Sequence, residues 1–443
     1  MMINNRKLSR IEQAMETLNS RATTWNILTI SRINGPLSKE MVRQALDIVQ
    51  CRQPRLNYRI IRSMNSLYFQ AKGTAKISLR VVNKLEEEQW QEVVSEEMNE
   101  EIDSSKGLLR VVFVPILNKS NLSYLITTVH HAIADGLSCI QLHSEILTYC
   151  HKIEDGEIIT PVTSLPLLPP SEELLPKWTK GLRGSISSIM FLLKLSVQRI
   201  WYRPKTLGFE KYAPIVKRRS DIIHRQISQE LTQKFVNLCR QEKTTVNSAL
   251  CAAMMFTVAR KIIKNNTKSI PISCLTYLDL RRHIKPRISE EEMAVLASSL
   301  MGFYTIGRDT SFWELARQVK QKLEAGIKYG DLFKVMLIAN HLINYCFIQP
   351  KGVAATVSLS NLGKVNIPKT YGVFELEEIS FAASHSLYAG MFVTHASTFQ
   401  GKMLLNFVFS QPSISQNTME ILITDFLSCI FEVCNLDSNP YFT

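Results

Sequence analysis

The chain of 443 residues is short of acid: 39 aspartates and glutamates face 52 lysines and arginines, for a formal charge of +13. That imbalance favours negatively charged partners: nucleic acid, anionic lipid, a phosphorylated cofactor or an acidic carrier protein. Paired cysteines are missing as well. The nine cysteines, among them Cys51, Cys139, Cys251 and Cys434, are scattered without a C-x-x-C pair. Their odd number and apolar neighbourhoods predict reduced, mostly buried thiols in a cytosolic protein. Residues 1–10 are polar and lack the apolar centre of a signal peptide. No run of about 18 apolar residues stands out as a membrane span. A cytoplasmic location is therefore expected. Local catalytic signatures are absent too, with no G-x-S-x-G elbow, no Walker A loop and no Rossmann fingerprint. What remains is an ordinary globular mixture, 45% hydrophobic and 21% charged, which excludes wholesale disorder. A chain of this length exceeds the size at which single cores stop growing, so two domains are expected.

Both halves mix strand and helix patterns. In the first, strands are predicted at 25–33, 56–61, 67–70, 108–116 and 122–129, with helices over 39–49 and 85–101 and another after Gly136. In the second, strands are predicted at 224–227, 270–278, 354–358, 373–379, 387–394 and 402–409. Helices are predicted at 245–263, 312–325, 332–345 and 418–434, and a further one to Cys239 that Ser228 would cap. The fold class is therefore α/β, as two α/β sandwiches rather than one extended sheet. Between the halves, Pro161, Pro166, Pro169, Pro170 and Pro176 mark an extended segment. An apolar run at 186–195 follows, flanked by Lys177, Lys180, Arg183, Arg199, Arg203 and Lys205. It is too short to cross a bilayer. Two readings stand: peripheral contact with an anionic membrane through 177–205, or a covering helix whose charges are solvated. The expected division is an N-terminal lobe at 1–160, a linker at 161–220 and a C-terminal lobe at 221–443.

The stretch His130-His131-Ala132-Ile133-Ala134-Asp135-Gly136 carries the chemistry. It follows an apolar strand pattern and precedes helical spacing, so it sits at a strand-to-helix corner. A neutral imidazole there can take a proton from an alcohol or amine that attacks an acyl group. Asp135 reads as a strut that pairs with an arginine, and Gly136 as the residue that lets the chain turn tightly. A metal is not expected, because adjacent histidines on a strand point to opposite faces. Nucleic-acid binding is not expected either, since no reader motif accompanies the charge.

His130-His131-x-x-x-Asp135-Gly136 is similar to the HHxxxDG motif of the condensation-domain superfamily. That superfamily includes nonribosomal peptide condensation domains, BAHD acyltransferases, alcohol acetyltransferases and the phthiocerol/phthiodiolone dimycocerosyl transferase group. The resemblance covers nearly the whole chain and is strongest to the last two. It implies two chloramphenicol-acetyltransferase-like lobes meeting in a V with a tunnel at the junction. It also implies His131 as the base, with His130, Asp135 and Gly136 structural. Asp279-Leu280-Arg281 resembles the DLR element of the lipid acyltransferase branch, which implies an Arg281–Asp135 ion pair between the lobes. Ser360-Asn361-Leu362-Gly363 resembles an SNxG segment, which makes Ser360 and Asn361 candidate oxyanion donors. Tyr304, in Gly302-Phe303-Tyr304, is a candidate substrate contact on the tunnel wall. The DFGWG motif of BAHD enzymes has no counterpart; the chain offers Tyr371-Gly372-Val373-Phe374.

The resemblance implies a standalone acyltransferase that forms an ester from a thioester donor and a hydroxyl acceptor, with no covalent enzyme intermediate and no bound cofactor. The donor would be acyl-CoA or a phosphopantetheinyl acyl carrier protein, and the acceptor a small-molecule or lipid alcohol. A monomer is expected. Amide formation, as in condensation domains, is the alternative chemistry. A non-catalytic scaffold that binds carrier proteins is the alternative class.

Overall fold

The computed structural model describes residues 5–22, 25–64, 66–157, 159, 162–263 and 269–434. The chain forms two compact units. The first comprises Met1–Leu174, Arg281–Leu296 and Val365–Ser384; the second comprises Leu175–Leu280, Ala297–Lys364 and His385–Thr443. The sequential boundaries at 160 and 220 are thereby corrected. Two segments of the second half belong to the first unit, and 175–220 is part of the second unit rather than a linker.

The first unit is built on a six-stranded sheet ordered Thr370–Tyr371, Phe374–Ala383, Asn26–Asn34, Leu122–His130, Leu109–Pro115, Ser78–Val81. All neighbours are antiparallel except the last pair. Leu122–His130 lies at its centre and is buried along its whole length. Such a strand needs cover on both faces. Thr127 points to the helix Gly136–Glu154, where its hydroxyl meets His143 Nε2 at 2.8 Å. Thr128 points the other way and donates to Glu97 of the helix Trp90–Met98 at 2.8 Å. Period-two alternation thus sends successive side chains to opposite layers. The Tyr371-Gly372-Val373-Phe374 stretch is a hairpin turn, with Tyr371 paired to Phe374. Gly372 has φ +58°, and a Cβ there would lie 2.1 Å from His151 Nδ1, so both backbone and space require glycine.

The second unit has its own six-stranded sheet, ordered Ala297–Gly307, Ser269–Asp279, Val357–Lys364, Phe392–Phe399, Lys402–Gln411, Arg219–Ile227. Val357–Lys364 runs parallel to both neighbours. Helices Gln229–Gln241, Val246–Ile262, Phe312–Lys328 and Gln416–Val433 contribute to one continuous core, including Phe235, Leu250, Val319 and Phe426. Ser228 caps its helix as the sequence predicts, accepting from Leu231 N–H. Both units are layered mixtures of helix and sheet, and the two-lobe α/β expectation stands. All nine cysteines are free thiols, seven of them buried.

Several elements escaped the sequence reading. Arg10–Ala22 is a helix, Ser78–Val81 is an edge strand, and Ala297–Gly307 is a full strand. Asp331–Ile348 is long and apolar enough to cross a membrane by length and composition. Asp331, Lys334 and His341 interrupt its apolar letters, which is why no run registered. It packs against the strand Ala297–Gly307 and the helix Gly181–Tyr202.

Candidate active site

The Leu122–His130 strand delivers the double histidine to its end. The strand stops at His130, so His131 is the first residue of the following turn rather than the last of the strand. This separates the two rings. His130 is completely buried. Its Nδ1 accepts the Ala132 N–H at 3.0 Å, and its Nε2 lies 2.9 Å from Glu16 Oε2. It therefore shapes the backbone of the turn.

His131 is only partly buried. Its Nδ1 lies 2.8 Å from the Ala134 carbonyl oxygen. A carbonyl only accepts, so Nδ1 carries the proton and Nε2 keeps the lone pair. Among the described residues Nε2 has no hydrogen-bond partner. Lost hydration lowers the pKa below the ordinary value of 6.5, against the raising effects of the Ala134 bond and the Asp135 charge. The imidazole is consequently neutral at pH 7, with its basic nitrogen available.

Asp135 is the N-cap of the helix Gly136–Glu154 and is buried. Its Oδ1 accepts from Ser138 N–H and Ser138 Oγ, each at 3.0 Å. Its Oδ2 accepts from Arg281 Nη1 at 2.7 Å and from Leu296 N–H at 2.9 Å. Burial alone would raise the carboxyl pKa. The Arg281 charge and these donors outweigh burial and hold it below its usual 3.8. Arg281 is 2% exposed and also donates through Nη2 to Ser138 Oγ at 2.9 Å. The predicted pair exists, but the lobe assignment is corrected. The chain enters the first unit at Arg281, so both partners belong to that unit. Gly136 is the first helical residue and has no positive φ. The turn into the helix depends on the Asp135 cap and not on glycine's freedom, which corrects the role expected for Gly136.

The structure thus brings His130, His131, Asp135, Gly136 and Arg281 together in one unit. The other three candidates lie in the second unit. Ser360 and Asn361 are on the strand Val357–Lys364 and are half-buried. Asn361 Oδ1 accepts the Gly363 N–H at 2.8 Å, a local turn at the point where strand pairing slips register. Tyr304 is corrected: it belongs to the hydrophobic core of the second unit, 3% exposed. Its ring folds back over Gly302, where a Cβ would meet its hydroxyl at 2.5 Å. The sequence reading missed Ser138, Glu16 and His143. Only Ser138 left a signal, the Asp-x-x-Ser spacing of a capped helix start.

Comparison with known proteins bears on the fold and the family profiles. The condensation-domain profile matches residues 12–164, and that of the phthiocerol/phthiodiolone dimycocerosyl transferase C-terminus matches 217–410. A probable alcohol acetyltransferase of Fusarium pseudograminearum is 23% identical over 319 residues. That match covers 66% of this chain and 64% of the relative, so it spans less than two thirds of the relative's length. Among solved structures, the trichothecene 15-O-acetyltransferase of Fusarium sporotrichioides has a TM-score of 0.76 at 12% identity, covering 97% of this chain and 95% of its own. Polyketide synthase associated protein 5 from Mycobacterium tuberculosis gives 0.67 at 18%, covering 98% of both. The first condensation domain of the calcium-dependent antibiotic synthetase gives 0.71 at 12%, covering 97% and 96%. At these identities the structures speak for the fold. The two profiles match successive stretches of sequence, so the chain is similar to condensation domains in its first part and to the phthiocerol/phthiodiolone dimycocerosyl transferase C-terminus in its second.

Proposed function

We propose that this protein transfers an acyl group from a thioester to a hydroxyl acceptor, with His131 as general base. The observation that carries the reading is the His131 tautomer: Nδ1–H is held by the Ala134 carbonyl at 2.8 Å, which leaves Nε2 as the base. In the reaction Nε2 takes the hydroxyl proton as the acceptor oxygen bonds to the thioester carbonyl carbon. The carbonyl electrons move to oxygen, then re-form the double bond as the carbon–sulfur bond breaks. The departing thiolate takes the proton back from the imidazolium. An ester and a free thiol result, and His131 ends neutral. Lost hydration favours this cycle, since it keeps the resting ring unprotonated.

The +13 charge suits the phosphates of CoA or an acidic carrier protein as donor. An ester product is preferred because two relatives are named for acetyl transfer to alcohol oxygen. The test incubates wild-type protein and His131→Ala with mixed acyl-CoAs, or acylated carrier protein, and a panel of alcohols and amines. Products are read by mass spectrometry and thiol release. The wild type forms esters, and the variant loses roughly 10²–10⁴-fold in rate. In the wild type kcat/KM is flat above neutrality and falls on the acid side, with a midpoint below 6.5. Full activity in His131→Ala would refute the mechanism, and exclusive amide products would replace the acceptor class.

A further inference from the structure

The helix Gly181–Tyr202 of the second unit is apolar on two sides, and only one of them is packed. Its inner side carries the buried residues Gly184 and Ser188. Arg199 on that side donates to the carbonyls of Ala354 and Val353 at 2.6 and 2.7 Å. Tyr202 stacks on Phe303 with ring centroids 5.5 Å apart. These contacts fix the rotation of the helix, so the opposite side faces outward. That side presents Leu182, Ile186, Ile189, Met190, Leu193, Val197, Ile200 and Trp201, all exposed. Leu182, Ile200 and Trp201 are 77%, 69% and 83% exposed. At about 100° per residue these positions fall within roughly a third of the helix circumference, over its full length. The serines at 185, 187 and 196 lie outside the stripe. An apolar strip of this length is uncommon on a free surface and marks a docking face.

Charge identifies the occupant. From 175 to 209 the chain has no aspartate or glutamate, but it carries Lys177, Lys180, Arg183, Lys194, Arg199, Arg203 and Lys205. Arg183 and Lys194 are exposed along one margin of the stripe. Trp178 and Trp201, both exposed, stand near its two ends. An apolar face with tryptophan and basic flanks matches the headgroup–acyl boundary of a negatively charged bilayer. A second copy would set the same basic run against itself. We propose that this outer face seats the protein in the interface of an anionic membrane, lying in its plane. The inference does not depend on the acyl-transfer reading.

The experiment is flotation of the whole protein with phosphatidylcholine vesicles, with or without about 30% phosphatidylserine. Wild-type protein floats with the anionic vesicles at low salt and is released as salt rises. Its tryptophan emission shifts to the blue on binding, less so in Trp201→Phe. Ile189→Glu/Leu193→Glu and Arg183→Glu/Lys194→Glu each weaken binding by roughly tenfold or more. All four positions are exposed, so native circular dichroism is retained; Leu182→Ser provides a milder variant with the same direction of change. No binding at low salt overturns the proposal, as does unchanged binding by Ile189→Glu/Leu193→Glu. Light scattering that shows a dimer dissociated by that variant, without vesicle binding, overturns it in favour of a second copy.

Discussion

Asp135 and Arg281 sit 2.7 Å apart with almost no access to water. Both carboxylate oxygens have further donors, and Arg281 also reaches Ser138. Burying two charges is offset only when geometry is good and the remaining polar atoms are satisfied. Removing one partner leaves the other buried and unpaired. Arg281→Ala is therefore expected to destabilise the fold by about 3–5 kcal/mol, measured by denaturant unfolding. Wild-type stability in that variant would show that the pair contributes nothing net. Asp135→Asn should cost a similar amount, since it leaves the Arg281 charge buried without a counter-charge and sets an amide NH2 against donors where a carboxylate oxygen accepted from Arg281 and the Leu296 N–H. This pair was legible only through the DLR resemblance, since composition and spacing do not single out Arg281 among 52 basic residues or Asp135 among 39 acidic ones. Ser138 was not assigned, since a serine at the start of a helix is ordinary until its hydroxyl is seen between Asp135 and Ala294.

At the scale of elements, one side chain joins a helix to the centre of a sheet. His143 projects from Gly136–Glu154 between two strands, with Nδ1 2.7 Å from Ser31 Oγ and Nε2 2.8 Å from Thr127 Oγ1. Burial lowers its pKa from 6.5 to about 3. The folded state therefore refuses a proton that the unfolded chain accepts below pH 6.5. In that range the unfolded state binds more protons, so stability rises with pH and levels off above it. From pH 6.5 down toward 3 the loss from this one group is about 1.4 kcal/mol per pH unit. His143→Gln should flatten the slope of Tm against pH over that window; an unchanged slope would assign the acid sensitivity to other groups. Element identity was largely legible here. The strand 122–129 and the helix after Gly136 follow from local periodicity, which reports one face at a time. That both faces of Leu122–His130 are covered follows from contacts with distant helices, which periodicity does not encode. Ala297–Gly307 was missed because its Ser-Ser and Gly letters dilute the strand pattern.

On the scale of the whole molecule, each unit is assembled from segments that are discontinuous in the sequence. The sequence reading placed one unit after another because composition and proline content reveal linkers, not partners. Phe374–Ala383 pairs antiparallel with Asn26–Asn34 across some 350 residues of sequence, and nothing local to either strand announces that. The strand brings Phe374, Leu376, Ile379 and Phe381 into the first unit, all buried. At about 1.5–3 kcal/mol for each large apolar side chain, the four contribute roughly 6–12 kcal/mol. A typical domain has a net stability of only about 5–15 kcal/mol. Arg281–Leu296 supplies a second late contribution, the arginine and the Leu296 N–H that satisfy Asp135. A fragment ending at Leu174 lacks both. It is expected to show helix and strand by far-ultraviolet circular dichroism, but no cooperative transition in calorimetry and weak near-ultraviolet signals. Its exposed sheet edge at Asn26–Asn34 and its unpaired Asp135 are then the two sources of failure. They can be separated, because Asp135→Asn removes the second and leaves the first. If the unsubstituted fragment melts cooperatively with native-like near-ultraviolet signals, the later segments are additions to a self-sufficient unit. If only the Asp135→Asn fragment does, the carboxylate and not the missing strand is what the first 174 residues cannot satisfy alone.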